Sequence, residues 1–211
     1  MSERTQASPG QLMRFLSIFL CWLLLTFQAA AAQIDNAHRI ASLIDPAKLA
    51  TLGERGANPR VQKAVYWIAM ARQQGEKPDQ VLTRAVSLAG YRNDASAKLT
   101  RDALLRNLDI AEKLGCLDHA GLAEMRRGKA PTVTKGPYKG DQLSVDHIIP
   151  RAVAPELDNV IANLELMPLR MNEKKSAKIG DRQLEMARKF HQAGLLSRKG
   201  EDAVLRTDPA R

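Results

Sequence analysis

The apolar pattern of the chain changes at Gly128, and this change restricts the fold strongly. Before it, apolar residues recur at helical spacing, as they do between Val61 and Ala71, which predicts three or four amphipathic helices. Beyond it, glycines and prolines divide the chain into short segments, a pattern typical of loops and short strands. We therefore expect an α+β protein, in which a mainly α-helical domain (residues 33–128) precedes a small strand-containing domain (residues 129–197).

The second domain contains two short β-favouring runs and then a helix. The runs are Leu143 to Ile149 and Leu164 to Met167, separated by a proline-containing loop. Pro168 suits the first turn of a helix, which Gly180 would end. The sequence predicts a strand, a loop, a strand and a helix in that order. A further helix, which Asp181 would cap and Gly194 would stop, follows, and then a charged, frayed tail over residues 198–211.

The N-terminus has the composition of an export signal over residues 1–32. A 13-residue apolar run, Phe15 to Phe27, follows Arg14 and precedes the small residues Ala29 to Ala32. We expect cleavage after this segment and a periplasmic or secreted protein. The alternative is an uncleaved membrane anchor through residues 15–32. A true start at Met13 would give a more compact signal.

Basic residues exceed acidic ones in the domain that would remain after cleavage. The 211-residue chain carries 32 Lys and Arg against 23 Asp and Glu, a formal charge of +9. Removal of residues 1–32 takes away Glu3, Arg4 and Arg14, which leaves +8. This balance suits a polyanionic partner but specifies no chemistry. Only Cys116 survives cleavage, so the fold has no internal disulfide and depends on its apolar core.

Polar residues with catalytic potential are concentrated in the strand, loop, strand and helix segment. Asp146 and His147 end the first strand and would point to opposite sides of it. Asn163 precedes the second strand, and Asn172 and Lys175 share a face of the helix. Asp146 and Asn172 thus offer oxygen ligands on two elements that a hairpin brings together, beside an imidazole and a lysine.

At these residues the sequence resembles the HNH, or ββα-metal, endonuclease family. The resemblance rests on three motifs in order, DHIIP, NLELMP and NEKKS, within residues 144–176. His147 and Asn163 are 16 residues apart, and Asn163 and Asn172 are nine apart. Each motif is weak alone, and their order and spacing make the resemblance specific. It implies a ββα-metal hairpin-helix module and does not cover the helical domain.

The resemblance implies a role for each of these residues. His147 would be the general base that deprotonates the attacking water, and Asp146 and Asn172 would bind a divalent metal. Asn163 would brace the backbone that carries His147, and Lys175 would neutralise the scissile phosphate. Many family members have His where this chain has Asn172. An all-oxygen ligand set favours Mg²⁺, with Mn²⁺ as the alternative.

The resemblance also implies a function, metal-dependent hydrolysis of nucleic-acid phosphodiesters. DNA is favoured over RNA as the substrate, with low sequence specificity, and a cleaved signal would leave no stable membrane association. Two alternatives stay open. One is a nucleic-acid-binding protein that keeps the fold without turnover, and the other is a secreted, toxin-like interaction module whose helical half binds a partner.

Overall fold

The computed structural model describes residues 35–91, 93–175 and 178–207. The predicted signal peptide and the candidate start at Met13 lie outside these residues. Within them, no helix is both long enough and apolar enough to cross a membrane. The helices are α1 (Asn36–Ile44), α2 (Pro46–Leu49), α3 (Asn58–Gln73), α4 (Pro78–Leu88), α5 (Asp94–Lys113), α6 (His119–Arg126), α7 (Leu169–Lys175), α8 (Asp181–Gln192) and α9 (Arg198–Leu205); the strands are β1 (Leu143–His147) and β2 (Leu164–Pro168).

The segment before Gly128 is helical, as predicted, but it contains more helices than the periodicity suggests. Six helices, α1 to α6, lie in this part of the described chain. The short helices are stabilised by capping side chains and have no long apolar stripe. Asp45 accepts hydrogen bonds from the first turn of α2, and Asp118 accepts one from Gly121 in α6. Gly128 follows α6 with a φ of 75°, a conformation that favours glycine after a helix end.

The two strands pair antiparallel in the order predicted, which confirms the α+β class. Asp146 lies opposite Glu165, and His147 lies opposite Leu164. The outer edge of β2 is closed by the buried side chain of Asn107 from α5. Its Nδ2 donates to the carbonyl of Leu164 (3.0 Å), and its Oδ1 accepts from the amide of Leu166 (2.8 Å). One side-chain amide thus satisfies two backbone groups of β2 that a third strand would otherwise pair with.

Both predicted domains contribute to one core. The described residues from Asn36 onward form a single compact unit. Its main apolar cluster joins helices α1 to α6 to Leu143, Leu164 and Leu166 of the strands. A smaller cluster surrounds Phe190 of α8. The predicted boundary at residue 128 therefore coincides with a change of secondary structure, and the packing continues across it.

The chain after β2 agrees with the expected pattern at α8 and differs from it in the last segment. The described part of α7 reaches Lys175, residues 178–180 are not helical, and α8 begins at Asp181, directly after Gly180. The segment expected to be a frayed tail forms α9 over Arg198–Leu205. Ser197 caps this helix through the amide of Gly200 (3.0 Å), and Val204 is fully buried. A cap and two buried side chains, Glu201 and Val204, suffice here because α9 packs against α8, a contact that short charged segments do not reveal.

Candidate active site on the two-stranded sheet

The alternation of side chains along β1 sorts the candidate residues onto two faces of the sheet. We call the face of Leu143, Val145, His147, Leu164 and Leu166 the inner face, because its leucines lie in the main core. The outer face carries Ser144, Asp146, Glu165 and Met167, and α7 lies over it. Asp146 and His147 are consecutive residues and therefore belong to different faces.

A lysine ammonium lies on the outer face between two oxygens. Nζ of Lys175 contacts Oδ2 of Asp146 and donates to the carbonyl oxygen of His147 (2.9 Å). The Asp146 and Lys175 side chains are about one-fifth exposed, 17% and 22%. A carboxylate and a backbone carbonyl thus converge on a positive charge at a partly shielded position.

Asn172 lies beside this ion pair, one turn earlier in α7. Its Nδ2 donates to Oγ of Ser144 (3.1 Å), and that hydroxyl donates to the carbonyl of Met167 (2.9 Å). Asn172 and Lys175 thus contact Ser144 and Asp146, which are two residues apart on β1. The structure brings the two proposed metal ligands, Asp146 and Asn172, to the same surface. Among the described residues no three His, Cys, Asp or Glu side chains cluster as a metal cage.

The imidazole of His147 is held by the loop that connects the strands. It is 8% exposed, and its Nε2 lies 3.0 Å from both the carbonyl oxygen and Oδ1 of Asp158. The hydrogen bond goes to the carbonyl, because Oδ1 is close but not aligned with the ring. Both neighbours are acceptors, so Nε2 carries a proton, and in the neutral ring the lone pair is on Nδ1.

The contacts of Asp158 connect this loop to the helical part of the chain, and the sequence reasoning did not single them out. Oδ2 of Asp158 accepts a hydrogen bond from the amide of Arg55 (2.9 Å), and Oδ1 of Asn159 accepts one from the amide of Ala57 (2.9 Å). Arg55 has a φ of 55° and is the one non-glycine residue with positive φ among those described. The Asp-Asn pair inside a proline-containing loop was the available signal.

Asn163 is fully buried and joins the two ends of the same loop. Its Oδ1 accepts from the amide of Ile149 (2.8 Å), and its Nδ2 donates to the carbonyl of Ile149 (3.0 Å). Nδ2 also lies 3.4 Å from the carbonyl of Leu157. Asn163 therefore braces the backbone of the loop between Ile149 and Leu157.

A second charged cluster on the outer face was missed by the sequence reasoning. Glu165, directly opposite Asp146, is paired with Arg182 of α8 (2.9 and 2.5 Å) and with Nε of Arg106 of α5 (2.8 Å). Burial raises the pKa of Glu165, but the hydrogen bonds from Arg182 and the charge of Arg106 outweigh it and hold that pKa below its usual range. The three residues come from distant parts of the sequence, so no local motif indicated them.

Cys116, the one thiol among the described residues, takes no part in this site. Cys116 is buried in the main core, and burial raises its pKa to about 12. It therefore has little thiolate character at neutral pH.

Comparisons with protein-family models, with curated proteins and with solved structures each found no match.

Proposed function

We propose that the chain is a metal-dependent endonuclease of the HNH type, built on a ββα-metal module. The observation that carries the proposal is the position of the Lys175 ammonium between the Asp146 carboxylate and the His147 carbonyl. A site that gathers oxygens around a monovalent side-chain cation has the donor chemistry that suits a hard divalent cation. Asp146 and Asn172 are the residues that would hold it, with Mg²⁺ favoured over Mn²⁺.

Each residue of the proposed site has one role in the reaction. Nδ1 of His147 takes the proton of the attacking water, while its Nε2–H keeps donating to the carbonyl oxygen of Asp158 and so fixes the tautomer. Asn163 keeps the His147 loop in place through Ile149. Lys175, released from Asp146, neutralises the scissile phosphate. A bound Mg²⁺ would supply Lewis-acid stabilisation of the charge that develops on phosphorus and on the leaving oxygen.

The substrate we propose is DNA in preference to RNA, bound with low sequence specificity. Its support is electrostatic, since the charge of residues 33–211 is +8 and basic residues displace counterions from a phosphate backbone. Export belongs to the same proposal. N-terminal sequencing of the exported protein should give Gln33, and a product that retains Phe15 would contradict cleavage.

The test is a plasmid cleavage assay with the purified protein and a panel of Mg²⁺, Mn²⁺, Ca²⁺ and Zn²⁺. We expect nicked or linear products with Mg²⁺, and a rate about 10²–10⁴-fold lower for His147→Ala. His119→Ala, which removes an exposed histidine far along the chain, should cleave at the wild-type rate. Equal rates for the His147 and His119 variants would remove the base assignment.

A second pair of variants tests the metal ligands. Asp146→Asn should weaken Mn²⁺ binding measured by electron paramagnetic resonance. Asp109→Asn, which also belongs to an aspartate–lysine ion pair (2.7 Å to Lys113) but an exposed one, should not. Unchanged Mn²⁺ affinity in both Asp146→Asn and Asn172→Ala would contradict the assignment.

The rival is a nucleic-acid-binding protein without turnover, and one observation favours it. His147 is only 8% exposed, so little of its ring is open to water and substrate. Binding of a labelled duplex without cleavage under any metal of the panel would support the rival and exclude the nuclease.

A further inference from the structure

Two arginines share one carboxylate on the outer face, next to the proposed metal site. Arg182 of α8 binds both oxygens of Glu165, and Nε of Arg106 of α5 lies 2.8 Å from Oε1. The Arg106 and Arg182 side chains are 31% and 51% exposed, whereas Glu165 is 9% exposed. The acid is thus covered, the Arg182 side chain is half exposed, and Arg106 reaches the surface only in part, because its Nε and Nη2 are buried.

This cluster has more donors and more positive charge than Glu165 can satisfy. Each guanidinium has five N–H donors, while a carboxylate offers about four lone-pair positions. Within the described structure, Nε and Nη2 of Arg106 are buried without an aligned acceptor. One arginine would be enough to neutralise Glu165, so the second leaves an excess of one positive charge. Asp146 and Lys175 cancel each other, and the outer face is positive because of the arginines.

The register of the strands fixes where this charge lies. Glu165 is directly opposite Asp146, and opposed residues of antiparallel strands have Cβ atoms about 5 Å apart. Arg182 and Asp146 also interact electrostatically: the pKa of Arg182 is raised, first by its hydrogen bond to Glu165 and also by the charge of Asp146, against the effect of burial. A polynucleotide strand whose scissile phosphate lay at Asp146 would therefore have an adjacent phosphate close to Arg106 and Arg182.

We propose that Arg106 and Arg182 form a binding site for the phosphodiester adjacent to the one that is cleaved, with Glu165 holding both guanidinium groups in position. The inference rests on the proposed nuclease function and extends it to the helical segment, since Arg106 belongs to α5. Each guanidinium keeps N–H donors that Glu165 does not use, and charged donors of this kind form strong hydrogen bonds with phosphate oxygens. Glu165 is a positioning residue and does not touch the substrate.

The test measures binding without cleavage. Fluorescence anisotropy of a labelled 20-base-pair duplex in EDTA gives Kd over a range of NaCl concentrations, and each phosphate contact adds about 0.9 to the slope of log Kd against log salt. Arg182→Gln should lower the slope by about 0.9 and weaken binding about eightfold at 0.1 M salt. The control is Arg72→Gln, which removes the same charge from an exposed pair with Glu112 (2.8 Å) and should leave the slope unchanged.

Two further variants keep the result interpretable. Arg182→Lys preserves the charge but not the fork, and should give a slope close to that of the wild type with weaker binding. Arg106→Gln should repeat the effect of Arg182→Gln. Equal slopes for Arg182→Gln and Arg72→Gln would overturn the proposal. A lowered slope in a protein that cleaves nothing would leave this site intact and exclude the nuclease, while cleavage with an unchanged slope would do the reverse.

Discussion

The two faces of the sheet divide the ten residues of β1 and β2 between them and serve different purposes. The inner face is apolar apart from His147, and its polar contacts are directed to backbone atoms of the connecting loop. The outer face carries two acids, each paired with cations from helices outside the strands. Because a strand alternates with a period of two, five residues in each strand supply both a core and a charged site. The comparison teaches that changes on the inner side should affect stability and those on the outer side mainly charge and binding.

The largest effect is expected at Asn163, which holds the loop behind His147. Asn163→Ala leaves the buried amide and carbonyl of Ile149 without partners, which should lower the free energy of unfolding by about 3 kcal/mol. Urea denaturation measures it. The control Asn159→Ala, whose side chain also bonds backbone but is partly exposed, should cost about 1 kcal/mol. Equal costs would mean that burial of the brace does not matter.

The next largest loss of stability is expected at Glu165 on the outer face. A loss greater than that of Asn163→Ala would contradict the expectation that the outer face contributes less to stability. Glu165→Gln leaves Arg106 and Arg182 without a charged partner and should cost about 2 kcal/mol, less than for a fully buried pair because Arg182 is half exposed. Glu112→Gln, from an exposed pair, should leave the urea midpoint unchanged.

The same substitution predicts a pH dependence. The pKa of Glu165 in the folded state is lowered, because the arginines outweigh the effect of burial. Its stabilisation is therefore present above the ordinary glutamate pKa of about 4.3 and is lost as the pH falls through the lowered pKa. Urea midpoints between pH 6 and pH 3 should fall less steeply in Glu165→Gln than in the wild type. Parallel curves would contradict the ion-pair interpretation.

A smaller effect, on the affinity for Mn²⁺, is expected at Lys175. Lys175→Met removes the cation that contacts Asp146, so Mn²⁺ should bind about fivefold more tightly, which corresponds to about 1 kcal/mol of charge repulsion removed. Isothermal titration calorimetry measures the affinity, and the exposed neighbour in Lys174→Met is the matched control. Weaker binding in Lys175→Met than in Lys174→Met would show that Lys175 supports the metal site instead of competing with it.

The smallest effect should be at Arg151, outside both faces. Arg151 pairs with Glu54 (2.5 Å), whose side chain is 79% exposed, and exposed pairs contribute little. Arg151→Gln should leave the urea midpoint unchanged. A clear loss of stability would mean that the loop around Arg55 depends on this ion pair.

Much of the secondary structure could be predicted because its causes are local. The apolar spacing between Val61 and Ala71 indicates a helix that does form, and β1 and β2 lie where the β-favouring runs are. The short helices α2 and α9 were not predicted, because four and eight residues carry too little periodicity. Their stability comes from caps and from packing against neighbouring elements.

Of the candidate site, the residues of the three motifs are brought onto the sheet and the helix beside it, as their order suggests. The alternation of Asp146 and His147 was also a local property. Asp158 and the pairing of Glu165 with Arg106 and Arg182 were not predictable, since the partners lie far apart in sequence and only the register of β2 and the packing of α5 and α8 bring them together.

The sequence by itself determined the α+β class, the sequence of elements around DHIIP, NLELMP and NEKKS, and which residues of β1 share a face, because periodicity and turn chemistry act over a few residues. The tertiary structure decided that both halves share one core, that Asn107 closes the edge of β2, and that two arginines meet at Glu165. These contacts form only when distant segments of the chain pack together. Only then do burial and charge pairing contribute to the free energy of folding.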